Sequence, residues 1–203
     1  MAYRIRPSEP FSKEFRRIAE NQLNRAITLL RDQSDGQHKA VHDARKRFKR
    51  VRALYRLIEP DAKTFRGQEN ARIRDVAKTL STARDATALI ETTEYLVNDA
   101  TSAEEIAALT FASNALIERR DRIVAAETDL DDKITSAIDQ CGEAIAALDA
   151  LKLSDDPQKT AKRLAKAWRK QRKAAATALA ICQDHAEADI FHDLRKAGQI
   201  YWM

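Results

Sequence analysis

Apolar positions recur along this chain at helical spacing, and they divide it into seven predicted helices. Phe15, Ile18, Leu23, Ile27 and Leu30 share one side of a helix predicted from Ser12 to about Leu30, which Ser34-Asp35-Gly36 ends. In the next segment Val41, Ala44, Phe48, Val51, Leu54, Tyr55 and Ile58 occupy an arc roughly 140° wide, the stripe a packed helix needs. That helix is predicted from about His38 to Ile58, since the residue before Pro60 is driven out of helical geometry. A third helix is expected over about Asn70 to Asn98. Ser102-Ala103-Glu104-Glu105 has the form of a capping box and opens a fourth, reaching about Glu127. After the break at Asp129-Leu130-Asp131-Asp132 a fifth runs to about Leu151. Ser154-Asp155-Asp156-Pro157 is the clearest linker, with Asp156 placed to cap and Pro157 in the first turn of a helix reaching about Asp184. A last helix starts near Ala188.

Composition agrees with this pattern. In 203 residues there are only four Gly and four Pro, so the expected fold is all-α in one compact unit. Cys141 and Cys182 have neither metal-ligand spacing nor a disulfide framework, and the start lacks an apolar leader. No run approaches the ~20 apolar residues of a membrane span, and the cytoplasm is the expected compartment.

Charge changes the picture more. The net value of +5 hides segregation along the chain: seven Lys or Arg stand against Asp43 alone between His42 and Arg56, and eight stand without an acid between Lys159 and Lys173. On the helical projection His42, Arg45, Lys49, Arg52 and Arg56 fall within roughly an 80° arc beside the apolar stripe. A solvated face normally mixes signs to gain pairs one turn apart. This one is nearly all positive and suits a polyanion. The first four span about 15 Å of helix, along which a linear chain of phosphates can lie, held by bidentate Arg and by Lys point charges. Lys159, Arg163, Lys166, Lys170 and Lys173 share a similar arc and form a second candidate wall.

The chain also repeats itself. Phe191-His192-Asp193-Leu194-Arg195-Lys196 echoes Val41-His42-Asp43-Ala44-Arg45-Lys46 at an offset of 150, with four identities in six. The copies then diverge, and Gln199 and Trp202 stand where the first has Lys49 and Arg52. Neither His42 nor His192 has a partner at ligand spacing on its own face, so no metal site is expected. No Gly-rich phosphate loop, nucleophile triad or carboxylate pair occurs. Trp168, Tyr201 and Trp202 are expected to pack rather than to stack on bases.

These residues resemble a known family. Ala2-Tyr3-Arg4-Ile5-Arg6-Pro7, Phe15-Arg16-Arg17-Ile18, the His42 helix, Arg74-Asp75 with Lys78, Leu80 and Arg84-Asp85-Ala86, Trp168-Arg169-Lys170-Gln171-Arg172-Lys173 and the His192 segment are similar to stand-alone CHAD domains, named for a conserved histidine in an α-helical domain. The resemblance implies two pseudo-symmetric helical bundles whose basic residues line a groove for inorganic polyphosphate. It implies a binding module associated with polyphosphate granules, with no cofactor and no catalysis. On this reading the domain spans 1–203, with a first bundle over 1–128 and a connecting helix plus an incomplete second bundle over 129–203. The expected polyphosphate contacts are His42, Arg45, Lys46, Lys49, Arg52, Arg74, Lys78, Arg169, Arg172, Lys173, His192, Arg195 and Lys196. Because the chain stops at Met203 inside the His192 helix with Ile200, Tyr201 and Trp202 near its end, association of copies through that helix is also expected. Two rivals remain: a nucleic-acid-binding protein, and a phosphotransfer bundle using His42 as acceptor.

Overall fold

The computed structural model describes residues 3–80, 82–185 and 187–202, without the side chains of 82–86. Arg84-Asp85-Ala86 and Met203 therefore lie outside the described side chains. The described residues form α1 (Phe11–Asp32), α2 (Gln37–Arg56), α3 (Lys63–Thr79), α4 (Thr82–Asp99), α5 (Ala103–Ala126), α6 (Leu130–Ala147), α7 (Pro157–Asp184) and α8 (Ala188–Trp202), with a single 3-10 turn at Leu148–Ala150 and no strand. The fold is all-α.

Four of these helices close a ring. α2 packs between α1 and α3, and α6 packs against both α1 and α3. The α2 stripe reaches the centre as expected: Val41, Ala44, Phe48, Val51, Leu54 and Tyr55 are buried, and each large side chain removed from water contributes about 1.5–3 kcal/mol. Phe15 of α1 stacks on Tyr55 with centroids 6.0 Å apart, and Phe65 of α3 meets the same ring edge-on at 5.9 Å. The tight α1–α2 turn needs Gly36, whose φ of 90° is open to glycine at little cost.

Two elements differ from the sequence expectation. The third predicted helix is two helices, because the backbone leaves helical geometry at Leu80 (φ −91°, ψ 19°) and Leu80 turns into the core. The Thr79 hydroxyl donates back to the Val76 carbonyl at 2.9 Å, a local bond of the kind hydroxyl side chains use against helix continuation. Helix α6, expected as a connector to a second bundle, is instead the fourth wall of the first. Its Leu130, Ile134, Ala137, Cys141 and Ala144 are buried in the common core.

The caps at Ser102 and Asp156 form as expected, accepting from the Glu105 and Lys159 amides at 3.1 and 2.7 Å. Helices α4 and α5 pair as one hairpin and α7 and α8 as another. The second hairpin buries little: Arg163 and Ala167 are the buried residues of α7, and α8 has none.

Arg163 explains how α7 is held. Its Nε donates to Asp61 Oδ2 at 2.6 Å, its Nη2 to the Ser154 carbonyl at 3.2 Å, and its guanidinium lies 4.8 Å from the centre of the Phe11 ring. Lys170 adds an ion pair with Glu59 at 2.8 Å. Replacing Arg163 with Ala removes a buried charge together with its packing, while the partly exposed Asp61 regains water. The expected loss is about 2 kcal/mol. Limited proteolysis should show it first, as faster cleavage in the 151–156 linker; an unchanged cleavage rate would contradict the role given to this residue.

Candidate anion-binding cleft

The core stripe of α2 sets the direction of its rail. With Val41, Phe48, Val51 and Tyr55 turned inward, Lys49, Arg52 and Arg56 face α8, whose Arg195, Lys196, Gln199 and Ile200 form the opposite side of a cleft of about 350 Å³. Among the described residues no acidic side chain lines it. The α2 wall alone runs for about 10 Å, from the seven steps between Lys49 and Arg56 at 1.5 Å rise. The two helices that carry the repeated motif thus face each other across one basic space.

Arg52 is half-buried and its Nε donates to Asn70 Oδ1 of α3 at 3.0 Å. Burial, and then the charges of Arg74 and Arg66, push its pKa below the ordinary arginine value. Arg56 is pushed the same way by burial and then by Arg52 and Arg66. Like charges have been gathered at a cost, and an anion in the cleft relieves it. Arg66 sharpens this, because its buried Nε has no acceptor among the described residues. The sequence reading missed Arg66. The available signal was the i, i+4, i+8 spacing of Arg66, Asn70 and Arg74 along one face of α3.

The expected contacts divide accordingly. Lys49, Arg52, Arg195 and Lys196 line the cleft, and so does Arg56 from the same rail. Arg45 does not: its Nη1 donates to the Ala77 carbonyl at 2.9 Å, satisfying the C-terminal turn of α3 and bracing α2 to it. Lys46 pairs with Asp43 at 3.0 Å, beside Lys39 at 2.6 Å. The Lys39 hydrogen bond is the chief cause that takes the Asp43 carboxyl down to about 2. Arg74 makes two bonds to Asp75, at 2.8 and 3.2 Å. Lys78 is exposed on α3, and half-buried His42 stands one turn ahead of Arg45 on α2; neither lines the cleft. His192 is exposed, with Nδ1 3.2 Å from Arg195 Nη2.

The candidate wall on α7 is not part of this space. Arg163 and Lys170 are tied to the α2–α3 connection as described. Arg169 is exposed, Arg172 lies 5.1 Å over the Trp168 ring, and Lys173 lines a different groove between α7 and α8. Trp168 packs towards Tyr201 of α8 with centroids 6.4 Å apart. Among the described residues no three His, Cys, Asp or Glu side chains are grouped to hold a metal ion, and no helix is long and apolar enough to cross a membrane.

No curated protein and no solved structure matches the chain. A family model described as CHAD domain matches residues 17–203, which include α2, the repeated motif on α8 and every residue lining the cleft. That match covers nearly the whole sequence, and the chain belongs to the CHAD domain family.

Proposed function

We infer that the cleft binds inorganic polyphosphate and holds it without breaking its bonds. The observation that carries this reading is the cleft's composition: Lys49, Arg52 and Arg56 face Arg195 and Lys196, with no acid in the lining among the described residues and with Arg66, whose Nε meets no acceptor among them, close to Arg52 and Arg56. A string of phosphates offers acceptor oxygens at every step along such a wall, and arginine binds them bidentately at fixed geometry. Among the described residues the lining is otherwise an amide and an isoleucine, a set suited to holding an anion. Segregated charge also speeds encounter with a polyanion. A granule of polyphosphate presents many such strings at once, so several copies can attach to one particle.

The test is a titration of polyphosphates of increasing length at 50 and 200 mM salt. Affinity should rise with length until the cleft is filled. Neutralising about five phosphates should make it fall on the order of 100-fold between the two salts, by counterion release. Competition settles the rival polyanion: long polyphosphate should displace a bound oligonucleotide at far lower phosphate concentration than the reverse. Affinity indifferent to both length and salt, or an oligonucleotide that wins that competition, would remove this reading.

A further inference from the structure

The cation run of α2 is larger than the part that lines the cleft. On the helical projection Arg47 and Arg50 lie at the opposite edge of the apolar stripe from Lys49, Arg52 and Arg56, on the flank that packs against α1. Arg25 reaches the same flank from α1, close enough for its charge, with that of Arg50, to weigh on Arg47. The three are half-buried, and none makes an ion pair among the described residues. Arg47 falls at the margin of the stripe itself. Its Nε is therefore closed off from water, and it meets no acceptor among the described residues.

The surroundings leave this charge unanswered. The acid whose charge reaches Arg47 is Asp43, one turn earlier on α2, and Lys39 and Lys46 already hold it at 2.6 and 3.0 Å. Asp32, two turns beyond Arg25 on α1, is exposed. Burial, then Arg50 and Arg25, push the Arg47 pKa below the ordinary arginine value, a cost that a bound anion relieves. One side of the patch is also fixed in advance. Tyr3 donates its hydroxyl to the Arg50 carbonyl at 2.8 Å, and the Arg50 guanidinium lies 5.9 Å from the centre of the Tyr3 ring. Holding Arg50 over that ring restricts a long side chain before any ligand arrives, so less ordering remains to be done on binding.

We propose that Arg25, Arg47 and Arg50 form a second anion site, on the outer side of the α1–α2 hairpin, that takes a single phosphate group. Three guanidiniums from two helices donate to different edges of one tetrahedral oxyanion, in paired hydrogen bonds that an ammonium cannot make. Because the Arg47 Nε is covered, the terminal nitrogens of that side chain serve the ligand. Arg47 and Arg50 stand about 4.5 Å apart along the helix axis, less than half the length of the α2 wall of the cleft. The site suits one phosphate, free or at the end of a chain, and not a run of them. The inference does not depend on what the cleft binds, since the two sites lie on opposite flanks of α2.

The test starts by disabling the cleft with Arg52→Glu and Arg56→Glu, so that phosphate bound by that variant reports the outer site. Equilibrium dialysis against labelled orthophosphate, at constant ionic strength in chloride, should saturate at one phosphate per chain. Adding Arg25→Gln and Arg47→Gln should weaken this binding roughly 30-fold or more, since two charge-assisted partners are removed. Arg47→Lys keeps the charge but loses the fork and should weaken it about 10-fold, whereas a diffuse counterion layer does not distinguish lysine from arginine. Tripolyphosphate in place of orthophosphate separates the two sources. A site for chain ends binds it more tightly than the free ion and a site for the free ion more weakly, and in either case the added glutamines abolish the binding. Unchanged circular dichroism will confirm that each variant folds. As a measurement that needs no substitution in the site, the Arg47 Nε–H resonance of the cleft variant should shift as orthophosphate is added. Long polyphosphate on wild type tests the cleft and orthophosphate on the cleft variant tests this site, so either can fail alone. Absence of saturable phosphate binding, an affinity left unaltered by Arg47→Lys or by the two glutamines, or a stationary Arg47 resonance would each overturn the proposal.

Discussion

The double substitution Arg52→Glu with Arg56→Glu is expected to weaken polyphosphate binding at least ~100-fold at moderate salt, from charge-assisted hydrogen bonds worth about 1.5–3 kcal/mol each. Both guanidiniums line the cleft, and both are already held there against burial and like charge. Reversal therefore removes two contacts and places two repulsive charges in the path of the ligand. It should not unfold the protein, since a carboxylate at position 52 meets Arg66 and Arg74, whose charges disfavour the native guanidinium. The salt dependence of whatever binding remains should become shallower, because fewer phosphates are neutralised. Equal affinity of the double variant and wild type, with circular dichroism unchanged, would mean that the anion binds elsewhere.

The same geometry ranks the other cations. Arg195→Glu with Lys196→Glu is expected to cost less than the α2 pair, because Lys196 already shares its charge with Asp193 at 3.2 Å and both residues are exposed on a helix that buries nothing. Arg45→Glu is an ambiguous probe of binding. Its guanidinium caps the Ala77 carbonyl, so loss of affinity there would mix damage to the α2–α3 contact with loss of charge.

Why the rail was legible and the cleft was not follows from the range of the interactions. The apolar stripe of α2 and the cation arc beside it are properties of one helix, and 3.6-residue periodicity reports them directly. Arg45, Lys49 and Arg52 share that arc, yet Arg45 is drawn to the end of α3 outside the cleft, while Lys49 and Arg52, the latter braced by Asn70 of α3, line the cleft opposite α8. The choice is made by where α3 ends, and no local pattern encodes it. Arg66 lies ahead of the helix expected from about Asn70, whereas α3 starts at Lys63 and so sets Arg66 on the same face as Asn70 and Arg74. The Lys159–Lys173 run reads as a ligand wall from its charge and its shared helical arc. In the fold, Glu59 and Asp61 of the α2–α3 connection draw Lys170 and Arg163 into structural pairs. The repeat was visible as sequence, but the opposition of its two copies across one cleft required the tertiary arrangement.

Glu14 is the second residue whose loss should matter greatly, and here the expected effect is on stability. It occupies a core-facing position of α1, fully buried, where its two oxygens receive the Arg6 amide at 2.9 Å, Arg6 Nε and Nη2 at 3.0 and 2.6 Å, and Arg17 Nε and Nη2 at 2.7 and 2.8 Å. The carboxylate thereby ties the segment before α1 to the helix itself. Hydrogen bonds from Arg17 and then Arg6 hold it well below the usual carboxylate range. Glu14→Gln keeps the size but sets an amide donor against guanidinium donors. Since Arg6 is half exposed and can return to water, the cost should be about 3 kcal/mol, at the lower end of the range for breaking a buried pair. The pH dependence has a definite sign. A carboxyl whose folded pKa lies below its unfolded value of about 4.3 contributes its full stabilisation above that value, and the contribution is lost as pH falls towards the folded pKa. Urea midpoints of wild type and Glu14→Gln should therefore be far apart at pH 7 and at pH 5.5, and draw together at pH 4 and below. A gap that stays constant down to pH 3 would show that the substitution acts through packing and not through the charge of Glu14.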